Sequence, residues 1–119
     1  MKKMAFAKVA APLGAKVQYE VSPEVKRYTL RDVGFMETKQ GNFQWKRSLD
    51  PTPQMKTGFT LKITIDRSMT KLKMSIVDKT GLNQVNIFDL NHPQQAMIEE
   101  KFEFYMQTLL QRHCLSVIE

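Results

Sequence analysis

The sequence predicts an α+β fold. We expect an antiparallel sheet of about five to six strands, with a short helix after strand 1 and a long C-terminal helix packed on one face. Two stretches, 59–66 and 71–78, alternate apolar and polar residues with the period of two of a half-buried strand. The segment 93–115 repeats its apolar residues at helical spacing instead. A sheet and a helix with one apolar face each bury those faces against each other.

Shorter sequence patterns predict the elements that precede these strands. Residues 17–21 alternate and predict strand 1. Ser22 before Pro23 is typical of a helix start, with serine as the cap and proline in the first turn. The segment 29–32 resembles a second capping box, and Gly34 suits the left-handed residue that ends a helix. We therefore expect one or two short helices to fill Pro23–Val33.

A β-hairpin follows, with strands 35–39 and 43–49 joined by a short turn that contains glycine. The segment 50–53 holds two prolines, which cannot donate hydrogen bonds to a sheet, so we predict a mobile loop there. After the two main strands, the alternation at 83–88 predicts a further sheet strand.

The terminal helix is expected to begin at Asn91 or His92, just before Pro93. Its apolar positions form one stripe, which we expect to cover the sheet face that bears Leu61 and Ile63. The residues of the stripe are Ile98, Phe102, Tyr105, Met106, Leu109 and Leu110.

Length and composition indicate a single domain over residues 1–119, in which 1–12 is a candidate flexible extension. The content of 42% hydrophobic and 25% charged residues is that of an ordinary globular protein. The single cysteine, Cys114, allows no intramolecular disulfide and fits a reducing cytoplasm. No apolar run approaches the roughly 20 residues needed to span a bilayer. We therefore expect a cytoplasmic protein with no membrane partner.

The net charge of +6 is unevenly distributed. Residues 1–73 hold fifteen Lys and Arg against six Asp and Glu, a balance of +9, whereas residues 74–119 hold three against six, a balance of −3. Such asymmetry can mark a surface for an anionic partner. The simpler interpretation, a solvated basic surface, stays open.

Residues that carry chemistry are few and scattered, so we predict no catalytic, cofactor-binding or metal-binding residues. His113 and Cys114 are neighbours, and adjacent helical side chains diverge by about 100°, so they cannot act on one point. His92 and His113 stand at opposite ends of the helix, about 30 Å apart at 1.5 Å per residue, and cannot share a metal. The five glycines are isolated and form no phosphate-binding loop.

A group of basic residues with one aromatic residue is the candidate surface for an anionic partner. On the second hairpin strand, Phe43 and Trp45 share a face with Arg47, and aromatic residues beside basic ones can stack on nucleic-acid bases. Trp45 on a sheet is more often a core residue. The candidate residues are Lys39, Trp45, Lys46, Arg47, Lys62 and Lys73.

Four segments, 4–8 (MAFAK), 28–35 (YTLRDVGF), 41–44 (GNFQ) and 85–88 (VNIF), resemble a family of small bacterial proteins of unknown function. Members of that family are often encoded beside a cysteine desulfurase, and some are described as involved in amino-acid metabolism. The resemblance extends over about residues 4–113. It implies a fold like that of the TATA-binding protein, and it provides no catalytic residues to carry over.

Three classes of function follow. The favoured one is an accessory or regulatory binding protein in cysteine, sulfur or amino-acid metabolism, with a cysteine desulfurase or a related enzyme as its protein partner. The alternative is a nucleic-acid-binding module that uses a basic sheet surface. An enzyme is the third, because no nucleophile stands near a base. The first two differ in whether the partner is a protein or a nucleic acid.

Overall fold

The computed structural model describes residues 5–50, 52, 54 and 57–118, and it confirms the α+β class. The strands, all antiparallel, are β1 (Gln18–Val21), β2 (Met36–Glu37), β3 (Phe43–Ser48), β4 (Thr60–Ile65), β5 (Leu72–Val77) and β6 (Leu115–Ile118). The helices are α1 (Arg27–Asp32), α2 (Gln95–Gln111) and a short 3-10 helix (Ile87–Asp89). Within this described part, no helix has the length and apolar character needed to cross a membrane.

The strands divide between two sheets rather than forming one. Strands β2, β3, β4 and β5 pair in that order, and β1 pairs with β6 in a separate ribbon. The chain before β1 links the two sheets, because Ala7 forms an antiparallel bridge to Leu72 on β5 and Ala10 forms one to Tyr19 on β1. Of the candidate extension 1–12, residues 1–4 lie outside the described part of the chain.

The register of the larger sheet separates a core face from an outer face. Trp45 on β3 stands opposite Ile63 on β4, which stands opposite Met74 on β5. Every second residue shares that face, which carries Phe43, Trp45, Arg47, Leu61, Ile63, Ile65, Leu72, Met74 and Ile76. All of these except Arg47 are buried. The predicted register of the two main strands is confirmed.

Helix α2 packs on this core face, as the apolar stripe predicts. Its residues Ile98, Phe102, Met106 and Leu109 are buried in the same cluster as the sheet. Tyr105 meets the Trp45 ring edge to face at 5.4 Å, and its hydroxyl donates a hydrogen bond to the Ser48 carbonyl (3.2 Å). Burial of each large apolar side chain contributes about 1.5–3 kcal/mol before entropy is subtracted. This packing fixes the helix across β3.

The terminal helix ends at Gln111, four residues before the predicted end, and β6 follows. His113 adopts a left-handed conformation (φ 58°), and the N–H of Cys114 bonds to the Leu109 carbonyl (2.9 Å). This pair of features is the Schellman arrangement that closes many helices. Because glycine is the usual residue at that position, a histidine there gave no sequence signal.

The strand predicted at 83–88 is wrong. Gln84 forms only an isolated bridge to Val77, and the chain then turns into the 3-10 helix. The cause is local: the Asn86 side chain accepts a hydrogen bond from the N–H of Phe88 (2.9 Å). Such bonds from asparagine compete with sheet pairing.

The helix starts predicted before Gly34 are also wrong in detail. Ser22 accepts a hydrogen bond from the N–H of Glu24 (3.1 Å) within a turn, and one helix begins later, at Arg27. Lys26 precedes it without a side-chain cap, so the segment 29–32 lies inside the helix. The prediction for Gly34 is confirmed: its φ is +109°, and a Cβ there would collide with the Arg47 guanidinium.

The loop predicted at 50–53 falls partly outside the described residues, since Pro51 and Pro53 are not described. Asp50, at the start of this loop, is joined to Thr57 and to α2. The Asp50 carboxylate accepts hydrogen bonds from the N–H of Thr57 (2.9 Å) and from its hydroxyl, while the Asp50 carbonyl accepts one from Lys101 on α2 (2.6 Å).

Candidate binding cleft

A cleft of about 350 Å³ lies between α2, β1 and the loop that precedes β1. This volume is within the range of small-molecule sites, which is about 300–1,000 Å³. Aromatic and charged side chains line it together. The residues that matter for its chemistry are Lys16, Tyr19, Phe88, Glu99, Phe102 and Glu103.

The aromatic part of the cleft comes from two phenylalanines. Phe102 projects from α2 and is buried, and the Phe88 ring meets it edge to face at 5.6 Å. Such pairs are held by the ring quadrupoles as well as by burial. They form a rigid apolar wall that can accept an aliphatic or aromatic group.

The charged part has opposite signs on its two sides. Lys16 lies on the loop before β1, whereas Glu99 and Glu103 lie one turn apart on the same face of α2. Among the described residues, no salt bridge joins Lys16 to either glutamate. The ammonium group and the two carboxylates are therefore available to a ligand that carries both charges.

Tyr19 adds a hydrogen-bonding group to the wall. Only 3% of the residue is exposed, yet no described residue makes a hydrogen bond to its hydroxyl, which is not sealed away from solvent. Burial raises the pKa of Tyr19, and the nearby Glu103 carboxylate raises it further. The phenol therefore stays protonated at neutral pH and can donate to an anionic group in the cleft.

Gln95 holds the α2 side of the cleft in place. Its amide nitrogen donates to the Phe88 carbonyl (3.0 Å) and to Glu99 (3.1 Å), and its amide oxygen accepts from the N–H of Leu90 (2.6 Å). One side chain thus joins the 3-10 helix to α2 and orients a carboxylate. A site whose groups are positioned by such supporting bonds loses less entropy on binding.

Gly14 fixes the opposite side. It has a positive φ of 82°, and a Cβ at this position would collide with the Asn86 side chain. The turn is closed by a hydrogen bond from the N–H of Ala15 to the Pro12 carbonyl (3.1 Å). The loop that carries Lys16 therefore rests directly on the asparagine that starts the 3-10 helix.

Comparison with known proteins agrees with this fold. Residues 4–116 match the DUF1831 family, whose description is "Putative amino acid metabolism". The chain belongs to this family. The crystal structure of a DUF1831 family protein from Lactobacillus plantarum matches this structure with a TM-score of 0.85 at 32% sequence identity, over 98% of this chain and 100% of that one. No curated protein matches the chain.

In this DUF1831 protein, Trp45 and Arg47 do not belong to an exposed basic surface. Trp45 is 4% exposed, and its indole N–H donates to the Val33 carbonyl (3.0 Å) while its ring stacks on Phe35. Arg47 lies over the Trp45 ring at 4.7 Å and donates to the same carbonyl (3.2 Å). Both side chains tie β3 to the end of α1.

Three of the candidate lysines do lie together. Lys46, Lys62 and Lys73 project from the outer face of the sheet, since they alternate with the buried residues of β3, β4 and β5. Lys39 lies apart from them, in the exposed turn between β2 and β3. The structure therefore separates the predicted surface into an outer lysine group and two core-face residues.

The cleft residues were not predicted from sequence. Glu99 and Glu103 look like the solvated face of a helix, and Tyr19 looks like a strand residue of the core. The spacing of four between the two glutamates was a weak sign of a functional role, because like charges at that distance destabilise a helix. Lys16 is more than 80 positions away from them, so only the tertiary structure brings the charges together.

His113 and Cys114 diverge, although both lie beyond the end of α2 and not on the helix that the prediction assumed. His113 contacts Glu24 at the surface (3.1 Å), whereas Cys114 is fully buried. Burial raises the pKa of the Cys114 thiol to about 11, although Arg112 acts in the opposite direction, so the thiol is protonated at neutral pH. In the described segments no three His, Cys, Asp or Glu side chains are grouped to hold a metal ion.

Proposed function

We propose that this protein is an accessory or regulatory binding protein of amino-acid metabolism, and that its cleft binds one free amino acid. The description of the DUF1831 family supports the metabolic assignment. The observation that carries the proposal is the presence of Lys16 and the glutamates Glu99 and Glu103 in one cleft without a salt bridge between them.

A free amino acid matches each part of this arrangement. Its carboxylate would accept hydrogen bonds from Lys16 and from the Tyr19 hydroxyl, and its ammonium group would donate to Glu99 or Glu103. Charge-assisted bonds of this type are about twice as strong as neutral ones. The ligand's side chain would lie against Phe88 and Phe102.

The sequence resemblance adds a finer proposal, in which the metabolism is that of cysteine and sulfur and the protein acts in the cytoplasm beside a cysteine desulfurase. The bacterial origin and the fold like that of the TATA-binding protein belong to the same proposal. Co-elution of this chain with the desulfurase of its host on size exclusion would support the partnership. Separate elution, with and without cysteine, would end it and leave the cleft proposal standing.

Isothermal titration with free amino acids tests the cleft. Cysteine, alanine and glutamate should be titrated beside two modified forms of the best ligand, its methyl ester and its N-acetyl derivative. The ester removes the charge that would meet Lys16, and the acetyl group removes the charge that would meet the glutamates. Each should bind at least tenfold more weakly than the parent amino acid.

Variants test which residues of the cleft bind the two charged groups of the ligand. Lys16→Ala and Glu103→Gln should each weaken binding about tenfold, which corresponds to about 1.4 kcal/mol. Lys26→Ala, which removes an exposed lysine close to α1, is the matched control and should bind as the unchanged protein does. Absence of binding by every free amino acid, or equal binding of ester and acid, would contradict the proposal.

A further inference from the structure

The outer face of the larger sheet concentrates positive charge. Lys46 on β3 stands directly opposite Lys62 on β4, and Lys73 on β5 is the diagonal neighbour of Lys62. Like charges directly opposite each other destabilise a sheet. The fold therefore holds an unfavourable pair of charges that a bound anion would relieve.

One more lysine, Lys71, extends the group near the start of β5. The bridge between Ala7 and Leu72 places Phe6 beside Lys73, whose ammonium lies over the Phe6 ring at 4.8 Å. Lys71 lies two positions before Lys73 and is exposed. The core of the group, Lys46, Lys62 and Lys73, is called the lysine face below.

Nearby carboxylates do not neutralise the lysine face. Asp66 is the acidic residue at the end of β4, and its carboxylate accepts hydrogen bonds from the N–H groups of Thr70 and Lys71 (both 3.0 Å) and from the Ser68 hydroxyl (2.7 Å). Those hydrogen bonds hold the Asp66 carboxylate within the tight turn that follows β4. In the described part of the chain, no salt bridge involves any residue of the lysine face.

Neither α1 nor α2 covers the lysine face. Helix α2 packs on the opposite side, where Tyr105 meets Trp45, and the end of α1 bonds to Trp45 and Arg47 on that same side. Beside the lysines the sheet presents the uncharged polar side chains Gln44 and Ser75, which are half-buried, whereas Thr64 is buried. Such groups can donate hydrogen bonds to phosphate and sugar oxygens.

We infer that the lysine face binds the phosphate backbone of a single-stranded nucleic acid without reading its sequence. Lysine is depleted from protein interfaces, which disfavours an acidic protein as the partner. Phosphate contacts by Lys supply most of the affinity in sequence-independent binding. With Trp45 in the core, base stacking on that residue is excluded, and contact through charge remains.

Fluorescence anisotropy with a labelled 12-nucleotide oligouridylate tests this inference. Three phosphate contacts on a single strand predict a slope of log K against log salt of about −2, at about −0.7 per contact. Lys46→Glu combined with Lys62→Glu should bring the slope to about −0.7 and weaken binding at least tenfold at 150 mM salt. Thermal unfolding should show that the double variant is folded.

The matched control changes the same net charge elsewhere, with Lys26→Glu before α1 and Lys79→Glu in the turn after β5. The control should bind within about twofold of the unchanged protein. Equal losses in both double variants would mean that net charge alone attracts the oligonucleotide and would overturn the inference. The absence of binding at 150 mM salt, or equally tight binding of polyglutamate, would overturn it as well.

Discussion

Trp45 joins three parts of the fold through a single side chain. Its ring stacks on Phe35 at 6.0 Å and meets Tyr105 of α2 edge to face, while its N–H bonds to the Val33 carbonyl after α1. The Arg47 guanidinium lies over the face of the ring. An aromatic and a basic residue on one strand therefore have a structural role here, although the same pair in sequence resembles a base-stacking site.

The first prediction follows at this residue. Trp45→Ala should lower the free energy of unfolding by about 3–5 kcal/mol, because the cavity and the lost hydrogen bond act together. Trp45→Phe should cost less, since it keeps most of the ring. Urea unfolding followed by circular dichroism measures both. An Ala variant as stable as the unchanged protein that had lost oligonucleotide binding would instead return Trp45 to the binding surface.

At the scale of elements, the alternating and helical patterns of apolar residues correctly predicted the strands and the helix that bury one face in the core. Strands β4 and β5 and the body of α2 follow their apolar patterns, because each buries one face. The errors lie where one residue acts locally, as Asn86 does in ending the strand predicted at 83–88 and His113 does in ending α2. Strand β6 was missed because its apolar residues continue the pattern of the helix.

The second prediction concerns the loop that carries Lys16. Gly14→Ala places a methyl group against the Asn86 side chain at a residue with positive φ, so it should both strain the backbone and displace the loop. Gly81→Ala is the matched control, since its φ is +76° and a Cβ there meets no atom within 4 Å.

In both variants, alanine at a positive φ should lower the free energy of unfolding by about 1–2 kcal/mol. Only Gly14→Ala should also weaken amino-acid binding, because only there does the loop move. Chemical denaturation gives the first quantity and calorimetric titration the second. Equal affinities for the ligand in the two variants would show that the position of the loop does not matter for the cleft.

The whole molecule separates its charges between two surfaces. The outer sheet face carries lysines, whereas the cleft on the other side of the molecule combines one lysine with two glutamates of α2. The basic balance of residues 1–73 was visible in the sequence. The cleft was not, because its charges come from residue 16 and from residues 99 and 103, and the pairing of β1 with β6, the strand that follows α2, brings that part of the chain to the helix.

The central claim is that this cleft recognises the charged main chain common to free amino acids. Glycine is the most direct probe, because it carries both charges and no side chain. Titration of glycine into isotope-labelled protein should shift the backbone amide NMR signals of residues 14–19 and 99–103 and leave those of Lys46, Lys62 and Lys73 unchanged. Shifts confined to the outer face, or none at millimolar glycine, would contradict the claim.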